Sequence, residues 1–165
     1  MAVYDKDGWN PSKAPVYGDD VYADVATYNV RVSAPVEVKL IASGACVSPD
    51  EGVWQCEAEP MREFVIIAAE DADRLGKLTK GVVVNSYFYP RHRSGGQTAL
   101  DVAVDAMSAY TELFGPYPYT EVDVVETPSL LGGMEYAGLV VVKDDYYGGH
   151  ALLEWLVAHE IAHQW

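Results

Sequence analysis

Residues 152–165 of this 165-residue chain read LLEWLVAHEIAHQW, a mostly apolar run that predicts an α-helix. Within it, His159 and His163 are four residues apart, and such residues lie one turn above each other on one helix face. Two imidazole nitrogens on one face can bind the same zinc ion. Glu160 follows the first histidine, where its carboxylate can accept a proton from water while the metal polarises a peptide carbonyl. The H-E-x-x-H pattern therefore predicts a zinc peptidase site, and a structural pair of core histidines is the alternative.

The third zinc ligand cannot be identified in these residues. A catalytic zinc typically has three protein ligands. Glu154 lies five residues before His159, which turns it about 140° around the helix from that histidine. No acidic residue follows His163. We therefore expect the 165 residues to be a fragment of a longer chain, with a defective site and no activity on its own.

Upstream of this helix, short strands give way to strands mixed with helices. The pattern of apolar residues predicts strands at 28–32, 36–40, 63–67, 82–89, 121–125 and 139–142, and a helix from Leu100 to Phe114 that ends at Gly115-Pro116. Residues 1–20 and 90–96 are rich in Pro, Gly and polar residues and are predicted to be irregular. This order favours an α+β fold with a boundary near residues 70–80.

A second stretch, Gly132 to Val140 (GGMEYAGLV), resembles the G-x-M-E-N motif of the aminopeptidase N type zinc metallopeptidases, which are gluzincins. Its glutamate, Glu135, precedes His159 by 24 residues (159 − 135), close to the separation in that family. Residues 113–119 (LFGPYPY) look like the family's F-G…Y-P lead-in, and the Gln-Trp tail after the second histidine suits it as well. Together these motifs cover about residues 113–165.

The resemblance implies a role for each matching residue. His159 and His163 would bind zinc, and Glu160 would be the general base. Glu135 would bind the free α-amino group of the substrate, and the backbone of Gly132, Gly133 and Met134 would lie along the peptide like an added strand. Tyr136 stands where the family usually has Asn, which affects the expected geometry of amine binding.

The resemblance also implies a division of the chain. Residues 1–75 would be the C-terminal part of an N-terminal antiparallel β-sandwich. Residues 76–165 would be the first half of a thermolysin-like catalytic domain. The expected function is an aminopeptidase that removes N-terminal residues from peptides. A thermolysin-like endopeptidase, or a non-catalytic scaffold or binding module of the same fold, are the alternatives.

Composition excludes some partners. The chain has 11 Lys+Arg and 25 Asp+Glu, a formal net charge of −14, which would repel nucleic acid. No apolar run is long enough to predict a membrane span. Residues 1–5 lack the apolar region of a signal peptide. The composition says nothing about side-chain preference or oligomeric state.

The two cysteines, Cys46 and Cys56, flank a turn-like stretch, Ser48 to Gly52. If the flanking segments pair as a hairpin, the thiols can face each other, so that a cross-strand disulfide and two free thiols are both open. A disulfide would favour an extracytoplasmic or cell-surface location over the cytoplasm.

Overall fold

The computed structural model describes residues 2–11, 23–149 and 151–165. Their secondary structure is mixed α+β, as the sequence predicts: most elements are strands, and two are α-helices. The strands are β1 (Ala2–Asp5), β2 (Gly8–Pro11), β3 (Ala26–Ser33), β4 (Lys39–Ala42), β5 (Ala45–Asp50), β6 (Val53–Met61), β7 (Ile66–Ala69), β8 (Asp73–Thr79), β9 (Val82–Phe88), β10 (Glu121–Thr127), β11 (Gly133–Tyr136) and β12 (Leu139–Lys143). The helices are α1 (Arg93–Phe114) and α2 (Leu153–Ala162), and 3-10 turns lie at Pro90–His92 and Asp144–Tyr146.

The first part of the chain forms small antiparallel sheets. Strands β3, β6 and β5 pair in that order, and β4 pairs with β7. Strand β3 follows the predicted alternation, because its exposed residues take turns with half-buried ones. Strands β4 and β7 both begin later than predicted. Before β4 the chain forms a turn, in which the amide N–H of Val38 donates to the Pro35 carbonyl at 3.1 Å. Residues 2–11 form a hairpin rather than the predicted irregular segment, and residues 12–20 lie outside the described residues.

The two cysteines are joined in a disulfide between β5 and β6. Cys46 lies directly opposite Cys56 in the antiparallel register, and their Cα atoms are 4.1 Å apart. In an antiparallel pair, the Cα atoms of directly opposite residues come about this close where the two residues form no backbone hydrogen bonds with each other. Of the two alternatives left open by the sequence, the structure therefore has the disulfide.

Removing this disulfide should lower the free energy of unfolding by about 2–3 kcal/mol, because the bond restricts a short loop in the unfolded chain. The bridged residues are 10 apart in sequence. Urea unfolding of the oxidised protein and of a variant with Cys46→Ala and Cys56→Ala measures the difference. Two titratable thiols in denatured protein that had never met a reductant would contradict the bond.

The second part of the chain is built on a five-stranded sheet of order β11-β12-β10-β9-β8. Strands β9, β10 and β12 are parallel, and β8 and β11 pair antiparallel at the two edges. Most residues of the parallel strands are buried, as expected where both faces of a sheet are covered. The main core includes Val84, Val122, Val124, Val140 and Val142 from the sheet, with Ala103, Met107, Val157 and Ile161 from the helices.

Helix α1 begins at Arg93, within the segment predicted to be a loop. Its two glycines, Gly95 and Gly96, are buried. A Cβ on Gly96 would overlap the ring of Phe88, and one on Gly95 would lie 2.9 Å from the Cα of Tyr147. These glycines therefore allow α1 to pack closely against its neighbours. The sequence pattern cannot distinguish glycines that serve this purpose from glycines in a turn. No helix among the described residues is long and apolar enough to cross a lipid bilayer.

Candidate active site

Helix α2 places the two histidines next to each other. The helix proper ends at Ala162, but His163 keeps helical backbone angles (φ −66°, ψ −11°), so the four-residue spacing still puts both imidazoles on one face. The two Nε2 atoms are 3.3 Å apart. Two nitrogens bound to one tetrahedral zinc at ordinary bond lengths are also about 3.3 Å apart. The pair therefore fits two ligands of a zinc ion.

An exposed tryptophan packs on the first of these histidines. The rings of Trp155 and His159 are stacked, with centroids 5.0 Å apart and an interplanar angle of 17°. Trp155 lies four residues before His159, so the same helical spacing that relates the histidines could have identified this contact. The indole restricts the orientation of the imidazole.

Glu135 reaches the histidines from the edge of the sheet. It lies in β11, which among the described strands pairs with β12 alone, and its Oε1 is 3.8 Å from Nδ1 of His163. Ligand atoms of Glu135, Glu160 and His163 all lie within 4.8 Å of one another. Among the described residues, no such group of three includes both histidines. The structure thus brings four of the sequence-predicted residues together, with His159 joined to the rest through His163.

Glu160 faces inwards from α2 and is buried, with 5% of its surface exposed. Burial and, next, the nearby Glu135 raise the pKa of its carboxyl group to about 7, against a lowering effect of His163. Its Oε2 atom has no hydrogen-bond partner. Two carboxyl groups this close favour a shared proton or a cation between them. The site can therefore accept a positive charge, either a metal ion or an ammonium group.

The glycines before Glu135 allow the hairpin to approach α2 closely. A Cβ on Gly133 would overlap Oε1 of Glu160 and would lie 2.6 Å from its Cδ. Gly132 lies over Leu156, and its carbonyl accepts a hydrogen bond of 2.9 Å from the amide N–H of Lys143. The side chain of Met134 packs on the smaller core formed by Ile41, Val125, Leu139 and Val141. Any side chain at position 133 would force the Glu160 carboxylate out of its present position.

Sequence reasoning missed the role of Gln164, which follows the second histidine. Its side chain donates a hydrogen bond to the Tyr136 carbonyl and accepts one from the Gly138 N–H, in the turn that follows Glu135. The Gln-Trp tail was part of the resemblance, but these partners are 26 and 28 residues away, which no local pattern reveals.

Zinc should bind to these 165 residues with micromolar or weaker affinity at neutral pH, because two histidines supply only part of a catalytic ligand set. Calorimetry measures this affinity. The variants His159→Ala and His163→Ala should each abolish binding, whereas His92→Gln, outside the site, should leave it unchanged. Nanomolar affinity with one zinc per chain would show that a carboxylate such as Glu135 completes the site.

Two plant aminopeptidases are among the known proteins that are similar to this chain. The chain is 34% identical over 101 residues to Aminopeptidase M1-B of Oryza sativa subsp. japonica, and the matched region covers 54% of this chain and 12% of that protein. It is 34% identical over 98 residues to Aminopeptidase M1-A of the same plant, covering 53% and 11%. The matched region is thus a small part of these relatives. No protein-family model matches the chain. The two relatives nevertheless confirm, over about half of this chain, its similarity to the aminopeptidase N type family.

Proposed function

We propose that this chain is part of a zinc-dependent aminopeptidase that removes single residues from the N-termini of peptides. One observation carries the proposal: β11 and α2, from separate parts of the sequence, bring Glu135, Glu160 and His163 within 4.8 Å. In the proposed enzyme, Glu135 is the amine anchor, Glu160 the general base and His163 a metal ligand. The activity of similar aminopeptidases agrees with this reading.

His159 and His163 would hold the zinc ion, and the third ligand is proposed to lie beyond residue 165. When bound, zinc supplies Lewis-acid chemistry: it polarises a carbonyl and makes water more acidic. Glu160 would accept a proton from the attacking water and transfer it to the leaving amine. The position of Glu160 suits this role, since it is buried and its carboxylate lies close to His163.

Glu135 would bind the ammonium group of the substrate. A carboxylate at a fixed distance from the metal ligands leaves room for one residue between the substrate's amino group and the bond that is cleaved. The peptidase is then an exopeptidase. The free edge of β11 can pair with the substrate backbone next to Gly132, Gly133 and Met134. The 3.8 Å separation between Glu135 and His163 supports this assignment, because the anchor must be close to the reacting carbonyl.

The division of the chain is also a proposal. Residues 1–75 would be the end of an antiparallel β-sandwich, and residues 76–165 the first half of a thermolysin-like domain. The disulfide between Cys46 and Cys56 supports an extracytoplasmic or cell-surface location, because such bonds persist where thiols are not kept reduced.

A comparison of free and blocked substrates tests the function. A longer enzyme that includes this chain and the third ligand should hydrolyse an unblocked peptide, should lose activity with a chelator and regain it with zinc, and should leave the N-acetylated peptide almost untouched. Equal cleavage of both peptides would favour the endopeptidase instead. Zinc binding without hydrolysis of either peptide would favour a scaffold or binding module.

A further inference from the structure

The side chain of Gln164 makes three hydrogen bonds that connect separate parts of the sequence. Its Oε1 accepts from the hydroxyl of Tyr117 and from the amide N–H of Gly138, each at 3.0 Å. Its Nε2 donates to the carbonyl of Tyr136 at 2.9 Å. The side chain is half-buried, and both lone pairs of its oxygen are in use.

Two of these bonds fix the tight turn at residues 136–138, which joins β11 to β12. The remaining amide N–H of the turn, on Ala137, donates to Oε1 of Glu63 at 3.0 Å. The carbonyl of Gly138 accepts a backbone hydrogen bond from the Asp123 N–H at 3.0 Å, whereas the other bonds named here come from side chains in distant parts of the chain. The turn begins one residue after Glu135.

Gln164 is also the neighbour of His163 along the chain. A short path of covalent bonds and one hydrogen bond thus runs from one predicted zinc ligand, through the Gln164 amide, to the residue that follows the predicted amine anchor. Glu135, Tyr136, His163 and Gln164 all line one cleft of about 390 Å³. A shift of the turn would therefore move Glu135 relative to His163.

We propose that Gln164 is a positioning residue that sets the distance between Glu135 and the zinc-binding histidines, and so determines selectivity for substrates with a free amino group. This inference rests on the proposed function. A side-chain amide meets both requirements at once, because the Gly138 N–H needs an acceptor and the Tyr136 carbonyl needs a donor. A carboxylate offers acceptors alone, and an aliphatic chain offers neither.

Binding measurements in a variant that cannot turn over substrate separate positioning from chemistry. In the longer enzyme carrying Glu160→Gln, calorimetry gives the dissociation constants of Leu-Gly-Gly and of N-acetyl-Leu-Gly-Gly. The ratio of the two constants measures amine selectivity. We expect Gln164→Leu to reduce this ratio roughly tenfold, because a small displacement of an anchoring group weakens only the contact it makes. Gln97→Leu, which removes an exposed glutamine that donates to Asp101 at 3.0 Å, is the matched control and should not change the ratio.

A second variant and a second readout complete the test. Gln164→Glu keeps the acceptor for Gly138 and loses the donor to Tyr136, so its ratio should lie between those of the parent and Gln164→Leu, and it decides the matter if the leucine variant does not fold. Amide hydrogen exchange at Gly138 should become faster in Gln164→Leu and remain slow in Gln164→Glu. An unchanged ratio in both variants would overturn the inference while leaving the proposed function intact. A parent with no amine selectivity would overturn both.

Discussion

Replacing Glu160 with glutamine should reduce turnover by at least about a thousandfold in the zinc-loaded longer enzyme, while zinc content stays the same. The amide has nearly the shape of the carboxylate, so the contact with Gly133 is preserved. It cannot accept a proton at neutral pH, and a well-placed general base contributes up to about four orders of magnitude. Steady-state kinetics with an unblocked peptide and metal analysis of the same sample measure the two quantities.

Glu154→Gln is the matched control for this change. Glu154 lies on the same helix and is exposed, so it loses the same charge outside the site. Its turnover should remain close to that of the parent. A Glu160→Gln enzyme that kept a tenth or more of parental turnover would remove Glu160 from the role of base.

Replacing Glu135 with glutamine should have a selective effect. It removes a charge-assisted hydrogen bond to the substrate ammonium, worth roughly 2–3 kcal/mol, so kcat/KM for unblocked peptides should fall about 30- to 150-fold. The loss should affect KM, because the anchor binds the substrate in the ground state, and turnover as well, because the same contact orients the scissile carbonyl for attack. Kinetics with an unblocked peptide measure it.

The N-acetylated peptide is the control for Glu135. It has no ammonium group, so its slow hydrolysis should be the same with and without the carboxylate. Equal losses for both peptides would mean that Glu135 acts on the zinc ligands, for instance through its 3.8 Å contact with His163, and does not select amines.

The features that sequence predicts well here are those set by local spacing. The positions of His159 and His163 on one face follow from the helix repeat, and the core face of α1 follows from the same period. Three strands of the second sheet, β9, β10 and β12, lie at predicted segments, whereas the edge strands β8 and β11 were not predicted. The α+β class follows from the order of these elements.

The features that sequence misses depend on contacts between distant segments. Gly95 and Gly96 suggest a loop, yet they lie in a helix because Phe88 and Tyr147 need the space. Spacing left the pairing of Cys46 with Cys56 undecided, since it depends on the register of β5 against β6. The hydrogen bonds of Gln164 connect it to Tyr117, Tyr136 and Gly138, which are distant from it in sequence, so no local pattern predicts them.

The contact between Gly133 and Glu160 has a consequence for protein engineering and for searches of uncharacterised sequences. A helix with H-E-x-x-H, grafted alone onto a new scaffold, would bring its glutamate against whatever side chain faces it. The graft should therefore include the opposing hairpin, with a glycine at the point of contact. In a search, a glycine about 27 residues before the glutamate (160 − 133) would separate chains built like this one from those that match the short motif alone.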